Sequence, residues 1–154
     1  MVICAIKWGN VVLYMFIGQY KYNLDSKGRI VIPTDYRNQL GGHIVVNKGI
    51  ENCITVYSKS EFDKQAEKLA ALNFTQKTNR SFNRYFLSSA FNKEIDTQGR
   101  VNLDECLIKH AGITKECVIV GAGNVIEIWS LESWNKVEEE RNEQLESISE
   151  DIIF

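Results

Sequence analysis

Apolar and polar positions alternate along the first half of the chain at the spacing of short strands, broken by turn residues and two helical stretches. Phe16 to Leu24 is rich in aromatic and β-branched residues and predicts a strand. Asp25-Ser26-Lys27-Gly28-Arg29 interrupts it, and Ile30-Val31-Ile32 resumes the strand pattern. Pro33 ends that run and suits the start of a helix. Thr34 to Leu40 then predicts a short helix stopped by Gly41-Gly42. Ile44 to Asn47 and Cys53 to Tyr57 predict a hairpin around the turn at 48–52. Ser58-x-x-Glu61 has the form of a capping box. It opens a helix with Phe62, Ala66, Leu69 and Leu72 (or Ala70) at helical spacing. Asn73-Phe74-Thr75 breaks the pattern, with Thr75 the candidate N-cap of a second helix ending near Ser88. Its stripe of Phe82, Tyr85, Phe86 and Ala90 reads as core rather than as a stacking surface.

The order then restarts. Phe91 to Ile95 predicts a strand, Asp96-Thr97-Gln98-Gly99-Arg100 a turn, and Val101 to Leu103 a strand. Asp104 to His110 predicts a short helix stopped by Gly112. Cys117 to Val120 and Val125 to Trp129 predict a hairpin around Gly121-Ala122-Gly123-Asn124. A final helix begins at Ser130, with Trp134, Val137, Leu145 and Ile148 apolar. Asp25 and Asp96 stand 71 residues apart. One added residue makes the offset 72, so that Gly49 matches Gly121, Asn52 matches Asn124, Tyr57 matches Trp129 and Phe62 matches Trp134. The expected organisation is an N-terminal extension at 1–14, a first repeat at 15–73, a connecting helix at 74–90 and a second repeat at 91–154. Each half supplies about four short strands, too few to close a barrel alone. Two halves related by a pseudo-twofold axis can interleave their hairpins around one shared core, giving one mainly β unit of the α+β class.

Charge changes this picture more than composition does. The 154 residues are ordinary globular in make-up, 44% apolar and 25% charged, with a net charge of −2. From Ser130 onward, however, eight acids meet only Lys136 and Arg141, which leaves the rest of the chain mildly basic at +4. Lys77, Arg80, Arg84 and Lys93 fall in a stretch without acids. Arg80 and Arg84, one turn apart, read as a solvated face, with an accessory phosphate contact as the alternative. Cys4, Cys53, Cys106 and Cys117 lack Cys-x-x-Cys spacing, and the last three lie in apolar runs, which predicts buried free thiols. His43 and His110 adjoin no cysteine pair, so no metal site is expected. Met1 to Tyr14 is too interrupted for a membrane span and lacks a signal-peptide pattern. Translation starting at Met15 would explain it.

The repeated Asp-x-x-Gly-Arg carries the chemistry. Asp25 and Asp96 open Asx-type turns, and Gly28 and Gly99 supply a positive φ. Arg29 and Arg100 then open the next strand with rigid, forked donors. Lys27, Arg29 and Arg100 on such tips suit phosphate or base-edge contacts. Asp25 and Asp96 could alternatively form a carboxylate dyad, but no nucleophile–base pair accompanies them, and no enzyme or cofactor is expected. Gly121-x-Gly123 lies in a hairpin and not in a strand-to-helix turn, so it is not a dinucleotide fingerprint.

These residues resemble a known family. Met15-Phe16-x-Gly18, Leu24-Asp25-x-Lys27-Gly28-Arg29-Ile30, Ile32-Pro33 and Tyr36-Arg37 resemble the start of MraZ, a bacterial transcriptional regulator. Asp96-x-x-Gly99-Arg100 and Val120-Gly121-x-Gly123-Asn124 with Glu127-Ile128-Trp129 resemble its second half. The resemblance implies two AbrB-like (SpoVT-AbrB) swapped-hairpin repeats forming a duplicated β-barrel with flanking helices. It implies ring-shaped homo-oligomers, commonly octamers. It also implies binding of double-stranded DNA at short tandem direct repeats upstream of the division and cell-wall gene cluster. Lys27, Arg29 and Arg100 would face DNA, with Gln98 standing where the first turn has Lys27. A cytoplasmic, nucleoid-associated protein with no membrane or small-molecule partner follows from the same resemblance. The alternative is an AbrB-like, antitoxin-like module whose target is another protein.

Overall fold

A computed structural model describes the backbone of residues 5–8 and 11–14 and residues 15–153 in full. Strands β1 (Ala5–Trp8) and β2 (Val11–Tyr14) pair with each other in a two-stranded sheet of their own. Cys4 lies outside the described residues, as does part of the segment assigned to an early start.

From Gln19 onward the elements alternate as the pattern predicts. They are β3 (Gln19–Asn23), β4 (Arg29–Val31), α1 (Thr34–Leu40), β5 (His43–Lys48), β6 (Ile54–Ser58) and α2 (Lys59–Ala70). The connecting helix α3 (Lys77–Ser88) follows. The second series is β7 (Phe91–Glu94), β8 (Arg100–Asn102), α4 (Glu105–Ala111), β9 (Glu116–Gly121), β10 (Ile126–Ser130) and α5 (Leu131–Glu150).

The halves exchange strands. The main sheet runs β3-β9-β10-β6-β5-β7, all antiparallel, so that β3 of the first half lies on β9 of the second and β7 of the second lies on β5 of the first. β4 and β8 form a separate ribbon in which Ile30 faces Val101, and at the sheet's centre Thr55 faces Glu127. These two pairs mark a local pseudo-twofold axis. The expected barrel is not a closed ladder among the described residues. β4 and β8 are three residues long and pair only with each other, so they leave β3 and β7 as the sheet's two edges.

The register corrects one detail of the repeat. Lys48 pairs with Ile54 and Gly121 with Ile126, so Gly121 corresponds to Lys48 and not to Gly49. Two residues are added after α4, and one is lost in the β9–β10 turn. Gly121 is explained by a close approach: a Cβ there would collide with the backbone of Phe16 and Ile17. That segment bonds to the hairpin through Phe16 N–H to the Gly123 carbonyl at 2.7 Å and Gly121 N–H to the Gly18 carbonyl at 2.8 Å.

One core is built from both halves. Ile30, Ile32, Tyr36, Leu40, Ile44 and Val46 pack with Val101, Leu103, Leu107, Ala111, Ile119 and Ile126. Removing this apolar surface from water is the main stabilising term, about 25 cal/mol per Å². A second cluster joins Cys53, Val118, Trp129 and Trp134. The equivalent aromatic pairs are alike, with ring centroids 5.7 Å apart for Tyr57–Phe62 and 5.8 Å for Trp129–Trp134.

The long helices are less buried than their stripes predict. In α3 only Phe86 is buried, stacked on Phe62; Phe82 and Tyr85 are each 37% exposed. No residue of α2 is buried: the helix lies against β5, β6 and α3 and keeps the rest of its surface in solvent. In α5 Trp134 is buried, but Leu145 and Ile148 are exposed in a second half that runs clear of the sheet. The N-cap of α3 is Gln76 and not Thr75: both the Thr75 N–H and its hydroxyl donate to Asn73 Oδ1, closing an Asx turn one residue earlier. Ser58 and Ser130 do cap α2 and α5, accepting from the N–H groups of Glu61 and Ser133. Glu61 supports the junction in a different way from a capping box, accepting from Gln65 and Asn124. Cys106 is exposed on α4, contrary to the expectation of burial, whereas Cys53 and Cys117 are buried.

Candidate nucleic-acid interface

The two Asp-x-x-Gly-Arg turns are superimposable in their bonding. In the first, Asp25 Oδ1 accepts from the N–H groups of Lys27 and Arg29 at 2.9 and 2.8 Å, and Oδ2 accepts from Arg29 Nε at 2.8 Å. In the second, Asp96 Oδ1 accepts from Gln98 and Arg100 at 2.9 and 2.8 Å, and Oδ2 from Arg100 Nε at 2.8 Å. Gly28 and Gly99 have φ of +75° and +79°, a region that disfavours any side chain.

The shape follows from this bonding. Each carboxylate collects three donors, which fixes the arginine through Nε alone. The Nη groups of Arg29 and Arg100 make no hydrogen bond to described residues and stay available for a planar, two-pronged acceptor. The Arg29 and Arg100 backbone N–H groups are the first cause holding the Asp25 and Asp96 carboxyls below their ordinary values, followed by the guanidinium bonds. Two carboxylates each committed to its own turn and pushed toward the ionised form do not share a proton, so the geometry gives the dyad reading no support.

The ribbon brings the arginines together. Arg29 lies opposite Asn102, and Arg100 opposite Val31. The pleat sends Ile30 and Val101 into the core, where they are 1% and 0% exposed, and turns Arg29, Val31, Arg100 and Asn102 to the other face. Arg29 and Arg100 are therefore diagonal neighbours on one outward face, about 7–8 Å apart at Cα. Lys27 is exposed at the first tip, and the Asn102 amide reaches its carbonyl at 3.5 Å. Gln98 is exposed at the second tip.

A further cation was not singled out as a contact in the sequence. Arg37, on α1 of the first half, lays its guanidinium on Gly99 of the second turn, and a Cβ at Gly99 would fall inside that guanidinium. Its pseudo-equivalent is Ile108 on α4, whose Cδ1 would stand 3.5 Å from a Cβ at Gly28. The signal that could have found Arg37 is the strand exchange itself, which sets each short helix against the other half's turn.

Other candidates are occupied structurally. Arg80 donates from Nη1 to the carbonyls of Phe74 and Thr75 at 2.9 Å, fixing the α2–α3 loop. His110 Nε2 lies 3.1 and 3.0 Å from the Gly49 and Glu51 carbonyls. Burial pushes the Cys53 thiol up to about 12 and that of Cys117 to about 11. Among the described residues no three metal-ligating side chains converge, and no helix is long and apolar enough to cross a membrane.

Comparison with known proteins agrees with the internal duplication. A family model described as "MraZ protein, putative antitoxin-like" matches twice, at residues 15–85 and 86–153. A transcriptional regulator MraZ from Lactobacillus delbrueckii subsp. bulgaricus is 49% identical over 138 residues, covering 90% of this chain and 96% of its own length. Proteins of the same name from Lactobacillus gasseri and Lactobacillus helveticus are 49% and 46% identical over the same extent. With both copies matched in order and relatives aligned along nearly their whole length, the chain belongs to the MraZ family.

Proposed function

We propose that this chain is a sequence-specific DNA-binding transcriptional regulator acting as a ring-shaped homo-oligomer. Its targets are short tandem direct repeats upstream of the division and cell-wall gene cluster, and it works in the cytoplasm at the nucleoid. The observation that carries the reading is the ribbon face on which Arg29 and Arg100 stand diagonally with their Nη groups free. A two-stranded antiparallel ribbon fits a major groove. Arg29 and Arg100 present forks suited to guanine or phosphate, and Lys27 adds a point charge. Asp25, Gly28, Asp96 and Gly99 hold those forks rigid.

Strand exchange between the halves supports the AbrB-like swapped-hairpin description, with residues 15–73 and 91–154 as repeats, 74–90 as the connecting helix and 1–14 as an extension. One subunit offers few cations, and each neutralised phosphate adds only a salt-dependent increment. Repetition around a ring, against repeated DNA sites, raises the effective concentration of every contact after the first. The acidic, exposed half of α5 suits a face turned away from DNA.

A footprint on the region upstream of the chain's own gene tests this reading. The expected result is a run of protected patches at regular spacing, with protection lost in Arg29→Ala. Uniform protection without spacing overturns sequence specificity. A second reading, an antitoxin-like module for a protein partner, draws on the family description and on the exposed Leu72, Phe74, Phe82 and Leu87 around α3. Absence of any protection, together with stable capture of one protein by the α3 face, would favour it.

A further inference from the structure

We infer that Arg37 supplies the second tip with the cation that Gln98 lacks, so that this tip is completed from the other half of the chain. The inference rests on the DNA-binding reading and adds a phosphate-contacting residue to it. At the first tip Lys27 follows Ser26, and the side chain set against the turn glycine is the apolar Ile108. At the second tip Gln98 is neutral, and the side chain set against the turn glycine is Arg37. Each tip therefore carries its own arginine and one additional cation. In one tip that cation is in the turn, and in the other it is laid upon it.

The state of the Arg37 guanidinium fits an external anion. Nη2 donates to Thr34 Oγ1 at 2.7 Å and Nε is buried against the turn without a hydrogen-bond partner, so Nη1, which makes no hydrogen bond to a described residue, is the donor left for an anion. Arg29 and Arg100 each pair with an aspartate, but no described carboxylate lies within 4.0 Å of Arg37. Asp35, its near neighbour in sequence, instead accepts from the Tyr20 hydroxyl at 3.1 Å. A positive charge held half-buried on a rigid turn without a counter-ion suits a DNA phosphate, the acceptor that positions a tip without reading sequence. Gly99 is buried beneath it, so the guanidinium plane is fixed before DNA arrives.

The test compares the full-length parent with Arg37→Met, Arg37→Lys and the double variant Arg37→Met with Gln98→Lys. All are titrated against the same upstream DNA between about 50 and 200 mM salt, with thermal unfolding and elution volume measured alongside. Arg37→Met should weaken binding on all sequences alike and flatten the salt slope by about 0.9 for each engaged subunit, about a 3.5-fold change across that range. Gln98→Lys in the Arg37→Met background should restore both affinity and slope, and Arg37→Lys should keep most of the slope. Parental affinity and slope in Arg37→Met would overturn the inference, as would weakened binding that Gln98→Lys does not restore. If Arg37→Met fails to fold and Arg37→Lys folds without recovering DNA affinity, Arg37 is only a prop for Gly99. A parent that binds no DNA sinks the regulator reading itself. A parent that binds and is abolished by Arg29→Ala, beside an unaffected Arg37→Met, sinks this inference alone.

Discussion

Asp25 is the residue from which the first tip is read, since it orders Lys27 and Arg29 in one set of bonds. Its ionised form is the bonded form, and the same holds for Asp96. Both have carboxyls lowered from 3.8. Their contribution to stability is therefore complete above that value and is lost as pH falls through the lowered folded values. Unfolding monitored by denaturant should show these turns adding no pH dependence between about pH 5 and 8, where their contribution is complete, and a loss of stability below about pH 4. Asp25→Asn with Asp96→Asn should flatten that acid limb, and an unchanged limb would contradict the bonding described. Gly28→Ala should cost about 1–2 kcal/mol, the strain of a side chain at positive φ. Gly99→Ala should cost more, because the Arg37 guanidinium must also move. Denaturation midpoints of the two variants decide the order. Thiol chemistry gives a simple check on burial: a maleimide should label Cys106 in the folded protein, with Cys53 and Cys117 reacting only on unfolding.

At the scale of elements, capping is a local and testable stabiliser. Ser58 Oγ accepts from Glu61 N–H at 3.2 Å, and Ser58→Ala should lower stability by about 1 kcal/mol in a thermal melt. The sequence was legible here because caps, glycine stops and Pro33 act locally: α1 spans Thr34–Leu40 in the structure, the range the pattern predicts. Partners were not legible in the same way. A stripe of apolar residues does not say how much of it another element will cover. Phe86 found Phe62 and Tyr57, while Phe82 and Tyr85 kept solvent on one side. Likewise alternation predicts a strand but not its neighbour, so the pairing of β3 with β9 follows from the duplication and not from either strand's residues. Of the candidate site, Arg29 and Arg100 were legible because the motif recurs. Arg37 was hidden because its partner, Gly99, is remote in sequence and its pseudo-equivalent is Ile108.

The whole molecule separates its surfaces. The ribbon face gathers cations, the helix α5 carries exposed acid along its outer half, and the α2–α3 region exposes Leu72, Phe74, Phe82 and Leu87. Assembly of several copies would multiply the first and cover part of the last, and light scattering of the purified chain should give a mass several times 17.6 kDa. The account depends most on Arg29, and the most direct measurement is a titration of labelled upstream DNA at moderate salt, parent against Arg29→Ala, with assembly size followed in the same samples. The account predicts an affinity loss of about tenfold or more with the oligomer intact. Equal affinity in the two proteins would contradict it.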